Sequence, residues 1–455
     1  MTRSCLTVTL LATFALLAGC SEKKGAATAE PAVAVAAAPA PAADPDAKLP
    51  KNQRLALAAA TGSTGADKAV TLAQTTARNN PGREESWIVL GRAWVRKARE
   101  SADPGFYLNA DACVDVALER TPDSRVALDL RGLVLLNGHK FDEARSLALQ
   151  ITARNPEDPM AWGTLHDAYL EMGRYDEATD AAQKMIDLKP NLPSYSRASH
   201  LQWLRGEIPG ARESVRRALD SGRAGKSEPE PGAWVFVQAA TMFWHEGDFD
   251  GADAGFDKAL ERISDYAPAN VGKGRVAMAK GDYKHAAELF ERAWKVSPLV
   301  ETAWLLGDAK DAAGDKAGAA DAYAKVEREG HRTDPRTLSL FLSTKNAKSA
   351  DAEDALKLAR EEYETRKDIV TEDTLAWALY RTGRFGEAKD SIAKARRFGT
   401  PDARLMYHEG AIRIAAGDAV KGKKIVAEAL KMNPAFDATG VREAKALLED
   451  KLATR

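Results

Sequence analysis

From about residue 50 onward the apolar positions of this chain recur with a helical spacing, and the helices they predict come in pairs. The segment "GRYDEA" at 173 is echoed by "GDFDGA" at 247, "GDYKHA" at 281 and "GRFGEA" at 383. Each puts a glycine two residues before an aromatic residue and five before an alanine. A glycine at that place supplies the positive φ of a tight turn between two helices. The steps from Gly247 to Gly281 and from Gly383 to Gly417 are both 34 residues. Laid out at that period, the chain divides into helical hairpins beginning near 50, 84, 125, 159, 193, 233, 267, 301, 335, 369 and 403. From 233 the period is constant, and before it "RESADPGF" and "SGRAGKSEPEP" interrupt.

Residue types repeat by position within each hairpin. Position 4 holds Trp87, Leu128, Trp162 and Trp304, and position 8 holds Gly91, Gly132, Gly274 and Gly410. Position 20 holds Ala144, Ala178, Ala252, Ala286 and Ala388, and position 27 holds Ala259, Ala293, Ala395 and Ala429. Small residues at 8 and 20 let the two helices of a hairpin approach, and those at 27 admit the next helix. Pro122, Pro156, Pro190 and Pro434, at position 32, end the second helix because proline lacks an N–H and clashes with the preceding turn. One hairpin cannot bury its apolar face alone, whereas a stack builds a continuous core. The segment over 437–455, which begins "DATGVREAKALLEDKL", reads as a capping helix with Val441, Ala444, Leu447 and Leu448 toward the last hairpin.

This register, spanning about 50 to 436, resembles the tetratricopeptide repeat (TPR). The hairpins starting at 50, 193 and 335 depart most from it; in the last of these Asp354 stands at position 20 and Arg366 at position 32. The resemblance implies an all-α fold, a right-handed superhelical solenoid of about eleven TPR helical hairpins with a C-terminal capping helix. The array divides into an N-terminal part, 50–232, and a C-terminal part, 233–436. The resemblance further implies a concave face lined by positions 2, 5, 9, 12 and 13 of each first helix. There the register places Trp234, Val237, Thr241, Trp244 and His245, then Arg275 and Met278, then Trp377, Tyr380, Arg381 and Tyr407. Aromatic and arginine side chains dominate interface hot spots, which makes this set the candidate partner-binding groove. The same pattern is compatible with some of them packing against neighbouring first helices, and a slip of one residue rotates the set. The Lys-at-5, Asn-at-9 pair with which some family members clamp a C-terminal carboxylate is missing from every repeat.

Ahead of the array the patterning changes twice. Arg3 precedes an apolar run of 12 residues, Leu6 to Leu17, too short for a membrane span, which needs about 20. The run ends in Leu17-Ala18-Gly19-Cys20 and turns abruptly polar, as a secretory signal does. The four residues resemble the lipobox of bacterial lipoproteins. That resemblance implies a signal peptide over 1–19, cleavage before Cys20, acylation of the Cys20 sulfur and new amino group, and stable membrane anchoring through several acyl chains. Ser21, where an aspartate favours inner-membrane retention in enteric bacteria, tilts the expectation toward the outer membrane. Residues 20–49 are rich in Ala and Pro, with prolines at 31, 39, 41 and 45. They read as a tether, about 30 Å long as a coil and about 90 Å if polyproline-like.

Composition narrows the function classes. Sixty-five Lys and Arg balance 66 Asp and Glu, a net charge of -1 that lacks the basic excess of a nucleic-acid binder. Cys5, Cys20 and Cys113 have no CxxC spacing, so neither a zinc site nor a redox pair is indicated. Cys113 reads as a small core residue. His166 and His200 both fall at position 8 without a carboxylate or thiol in register, and read as packing residues rather than metal ligands. No HExxH, P-loop or GxSxG motif is present, so neither catalysis nor a cofactor is expected. The expectation is a lipid-anchored scaffold of the bacterial envelope, with its folded part in the periplasm or on the envelope surface. It would hold a protein or peptide in its groove, for envelope assembly, secretion or recruitment of cell-wall enzymes. The alternative is a structural subunit of an export or envelope complex, assembling through its convex surface.

Overall fold

The computed structural model of the chain describes residues 46–449, apart from 61, 102, 225–228 and 346–348. The signal segment, the Cys20 attachment point and most of the tether lie outside the described residues. Among these there are helices and no strands. The order is α1 (Lys51–Ala56), α2 (Gly65–Asn79), α3 (Glu84–Ser101), α4 (Phe106–Arg120), α5 (Arg125–Asn137), α6 (Phe141–Arg154), α7 (Pro159–Glu171) and α8 (Tyr175–Leu188). Next come α9 (Leu192–Leu204), α10 (Ile208–Ala224), α11 (Pro229–His245), α12 (Phe249–Arg262), α13 (Ala267–Ala279), α14 (Tyr283–Val296), α15 (Val300–Ala312) and α16 (Lys316–Thr333). The array ends with α17 (Pro335–Lys345), α18 (Ser349–Thr365), α19 (Ile369–Arg381), α20 (Phe385–Ala395), α21 (Ala403–Ala415), α22 (Ala419–Met432) and α23 (Ala438–Glu449).

Local chemistry sets these boundaries. In three "GD" turns the glycine takes positive φ and the aspartate side chain caps the next helix. Gly247, Gly281 and Gly314 lie at φ 79, 78 and 88°, and Asp248, Asp282 and Asp315 accept N–H bonds from the first turns of α12, α14 and α16. Asp158, Asp368 and Asp402 do the same for the first helices α7, α19 and α21. From α3 on, consecutive helices pair as hairpins and α23 closes the stack, a right-handed superhelical solenoid. Ala444 of α23 is buried, and Val441, Leu447 and Leu448 pack beside it onto the C-terminal core.

Two departures from the sequence register have clear causes. The first hairpin is not regular. Thr64 and Asp67 form a capping box that starts α2 afresh, and α1 packs against α4 instead. Side chains hold the last carbonyls of α1 and its exit: Trp94 Nε1 donates to Ala56 O at 2.8 Å, Asn109 Nδ2 to Leu55 O at 2.7 Å, and Gln74 Nε2 to Ala58 O at 2.6 Å. In the fifth hairpin Asn191 caps α9 one residue earlier than the register has it. Ser199, not His200, therefore takes position 8. Its hydroxyl donates to Ala211 O at 2.8 Å, as His166 Nδ1 meets Ala178 O at 2.9 Å in the hairpin before.

Small residues at the crossings do what the pattern implies. Phe290 is fully buried and its ring lies against Gly274, where an added Cβ would stand 2.5 Å from Cε1. Trp87, Trp94, Trp377, Phe256 and Phe341 fill the remaining space between helices. Cys113 is buried in the first core cluster, where desolvation pushes its thiol far above the usual range.

The superhelix winds tightly enough for successive turns to touch. The turn after α7 meets the loop before α19: Lys367 N donates to Glu171 O at 2.8 Å, and Ile369 N to Tyr175 Oη at 2.9 Å. The turn after α9 meets the loop before α21, where Thr400 Oγ1 donates to Leu204 O at 2.5 Å. The end of α11 meets the loop after α22, where Asn433 Nδ2 donates to Trp244 O at 2.8 Å. Three consecutive hairpins thus find partners 194, 196 and 189 residues further on.

Candidate functional site: the inner face of the array

Ion pairs join the first helix of one hairpin to the first helix of the next. Arg197 of α9 grips Asp167 of α7 through two bonds, Nε to Oδ1 at 2.8 Å and Nη2 to Oδ2 at 2.7 Å. Arg275 of α13 meets Glu301 of α15 at 2.6 Å. Arg336 of α17 reaches Asp368, the cap of α19, at 3.1 Å. The Glu301 carboxyl is held below the usual carboxylate range by Arg275 first and then by Arg404 and Arg336, against the effect of burial. Charges from α13, α15, α17 and α21 therefore converge on one region.

Its centre is an aromatic and charged cluster. The Trp203 ring lies 4.7 Å from that of His245, which lies 5.0 Å from Trp244. The Arg275 guanidinium sits 5.3 Å from the Trp244 ring. His245 Nδ1 is 3.4 Å from Asp402 Oδ2, so the next superhelical turn completes the cluster. Burial lowers the His245 pKa, with Asp402 opposing the shift. Beside it, burial and then the neighbouring His166 push His200 down to about 4. Of the sequence candidates, Trp244, His245 and Arg275 come together here; Trp203, Glu301, Asp402 and Arg404 were missed. Trp203 has a sequence signal: with α9 started at Leu192 it occupies position 12, as Trp244 does in its own hairpin. Arg404 has one as well, at position 2 of its hairpin as Trp234 is in its own; Asp402 has none, because only the winding delivers it to this cluster.

A second cluster lies at the C-terminal end. Trp377 stacks on His408 at 4.0 Å and on Tyr380 at 4.8 Å, and Tyr407 lies 5.4 Å away. The buried His408 Nδ1 meets the buried Asp373 Oδ1 at 2.8 Å. Tyr407 Oη donates to Glu443 at 2.8 Å, and Arg381 Nη1 is 3.4 Å from the same oxygen. Tyr380, Arg381, Tyr407, Glu443, Ala446 and Leu447 line a cleft of about 320 Å³ between the last first helices and α23.

These placements correct part of the groove set. Val237, Trp244, Trp377 and Tyr407 are at most 8% exposed and belong to the core, because tight winding presses adjacent first helices together. Thr241 donates its hydroxyl to Val237 O of its own helix, and Met278 packs beside Phe290 and Leu306. Trp234 stays 44% exposed, and His245, Arg275, Tyr380 and Arg381 keep part of their surface open. Among the described residues no group of three or more His, Cys, Asp or Glu is placed to hold a metal ion, and no helix is long and apolar enough to cross a membrane.

Comparison with known proteins places this geometry in a family. The tetratricopeptide-repeat family profile matches residues 130–193 and 271–334. A TPR repeat-containing protein of Pseudomonas aeruginosa is 33% identical over 93 residues, covering 19% of this chain and 89% of that protein. Intraflagellar transport protein 70A2 of Rattus norvegicus is 28% identical over 204 residues, covering 42% of this chain but only 30% of that protein's length. Among solved structures, a human IFIT1 dimer with PPP-AAAA is 13% identical, with a TM-score of 0.47 over 85% of this chain and 92% of that one.

Proposed function

Because the chain belongs to the tetratricopeptide-repeat family, we propose that it is a protein-binding scaffold that holds a protein or peptide partner on its inner face. The observation that carries this reading is the face itself. The first helices keep Trp234, Arg275, Tyr380 and Arg381 accessible, the residue types from which interface hot spots are built. Repeats of this kind make surfaces rather than reaction centres, so no catalysis is assigned. The finer reading places the scaffold at the bacterial envelope, anchored by acyl chains on Cys20 and held off the bilayer by the Ala/Pro tether. Its support is the apolar run closed by Leu-Ala-Gly-Cys. Envelope assembly, secretion and recruitment of cell-wall enzymes are the tasks such a tethered scaffold suits.

Two experiments test the two halves. Crosslinking in intact cells, purification and mass spectrometry should recover a protein partner, and an Arg275→Glu/Tyr380→Ala variant should lose it while keeping its helical content. Undiminished capture by that variant removes the inner face from the proposal and moves binding to the convex side. Cys20→Ser should abolish acyl labelling and release the protein from membranes. Labelled, membrane-bound Cys20→Ser protein would refute the anchor.

A further inference from the structure

We propose that the contact between successive superhelical turns is a latch, built from three consecutive hairpin turns, that holds the coil closed and sets its pitch. The same arrangement occurs three times. A glycine with positive φ in the turn of the lower hairpin lies under a backbone carbonyl of the loop above. Gly173 lies under Lys367, Gly206 under Phe398, and Gly247 under Met432. A Cβ at Gly206 would stand 2.9 Å from the Phe398 oxygen, and at Gly173 and Gly247 it would overlap the carbonyl above. The turn glycines outside the seam, Gly281, Gly314, Gly383 and Gly417, share the left-handed φ but have nothing within 4 Å of that point. The seam glycines therefore meet two demands, backbone conformation and close approach, whereas the others meet only the first.

Side chains complete each contact. Tyr175 accepts the N–H of Ile369, the first residue of α19, which has no partner within its own helix. The Tyr175 ring meets Phe398 edge-on at 5.2 Å, with the Arg397 guanidinium 4.7 Å from it. Arg366 Nε is 2.7 Å from Glu171 Oε2. Thr400 and Asn433 are almost wholly buried, and each donates a side-chain bond to a carbonyl at the C-terminal end of a first helix one turn below. Buried polar side chains of this kind are costly unless satisfied, so these loops are shaped for the turn beneath them. Packing joins these bonds: one apolar cluster holds Tyr175, Leu201 and Leu204 of the lower turn together with Ile369, Leu379 and Leu405 of the upper one. Bonds and packing together hold successive turns at a fixed spacing.

The turn glycines supply a matched control. Gly173→Ala/Gly247→Ala and Gly281→Ala/Gly383→Ala impose the same φ penalty, but only the first pair wedges the seam. In solution scattering of the full chain, the seam pair should increase the radius of gyration, and the control pair should not. Amide exchange at Lys367 and Ile369 should accelerate at least tenfold in the seam pair alone. Thr400→Val/Asn433→Leu and Tyr175→Phe, which remove seam bonds without backbone strain, should reproduce the expansion and the faster exchange, respectively, if the glycine variants fold poorly. Equal dimensions and equal exchange at these two amides in wild type, seam and control variants would overturn the latch.

Discussion

Replacing Trp377 by alanine is expected to destabilise the C-terminal hairpins by about 4 kcal/mol. The indole is 1% exposed and lies between Tyr380, Tyr407 and His408, with the Arg381 guanidinium 5.7 Å from its ring. A buried tryptophan hides roughly 150–250 Å². At about 25 cal/mol per Å², and with part of that area kept by alanine, the transfer loss is about 3–5 kcal/mol, in line with large-to-alanine substitutions in other cores. Lost ring stacking adds to this. The indole N–H has no hydrogen-bond partner, so deleting it breaks no bond and relieves a buried polar group. A repeat array does not unfold as one unit, so the assay must be local. Urea titration followed by circular dichroism should show an early partial transition, and hydrogen exchange should place it in α19, α21 and α23 while α3–α5, in the separate N-terminal core, stay protected. A shift below about 1 kcal/mol, with unchanged exchange in α19 and α21, would refute the core assignment and return the indole to the groove.

The N-terminal end and the acid limb offer two further checks. Lys97→Met leaves the buried Asp67 carboxylate without its cation, though Thr64 still donates to it through N–H and hydroxyl. A loss of about 3 kcal/mol is expected in urea titrations at pH 7. Burial works to raise the Asp67 pKa, but the bonds from Lys97 and Thr64 override it and hold the carboxyl below its ordinary value. The wild-type contribution is therefore present above the unfolded pKa and disappears as pH falls through the lower folded one, so the gap between variant and wild type should narrow as pH falls below the ordinary aspartate value of about 3.9. For His200, burial and the nearby His166 depress the folded pKa to about 4, with Asp167 and Asp368 opposing. The unfolded chain takes up the proton first, so stability declines as pH falls from about 6.5 to about 4. His200→Gln should flatten that decline in thermal melts, and an unchanged slope would remove His200 from the explanation.

What the sequence determined by itself is local and periodic. The 34-residue rhythm, the Gly-Asp turns, the alanines at crossings and the prolines after second helices fix the number, order and pairing of the helices, because each acts within a hairpin or between neighbours. Two of the failures were local as well: Asn191 capping α9 moved one register by a residue and hid Trp203, and Thr64 with Asp67 split the first hairpin. The tertiary structure decided which inner-face residues stay accessible. Small rotations between hairpins add up over more than five repeats, and no residue pattern within one repeat reports their sum. That sum brings Asp402 to His245 and lays Lys367 over Gly173, while packing between adjacent first helices buries Trp377 against Tyr407 and His408. The repeat specified an inner wall, and the winding determined which of its side chains remain open to a partner.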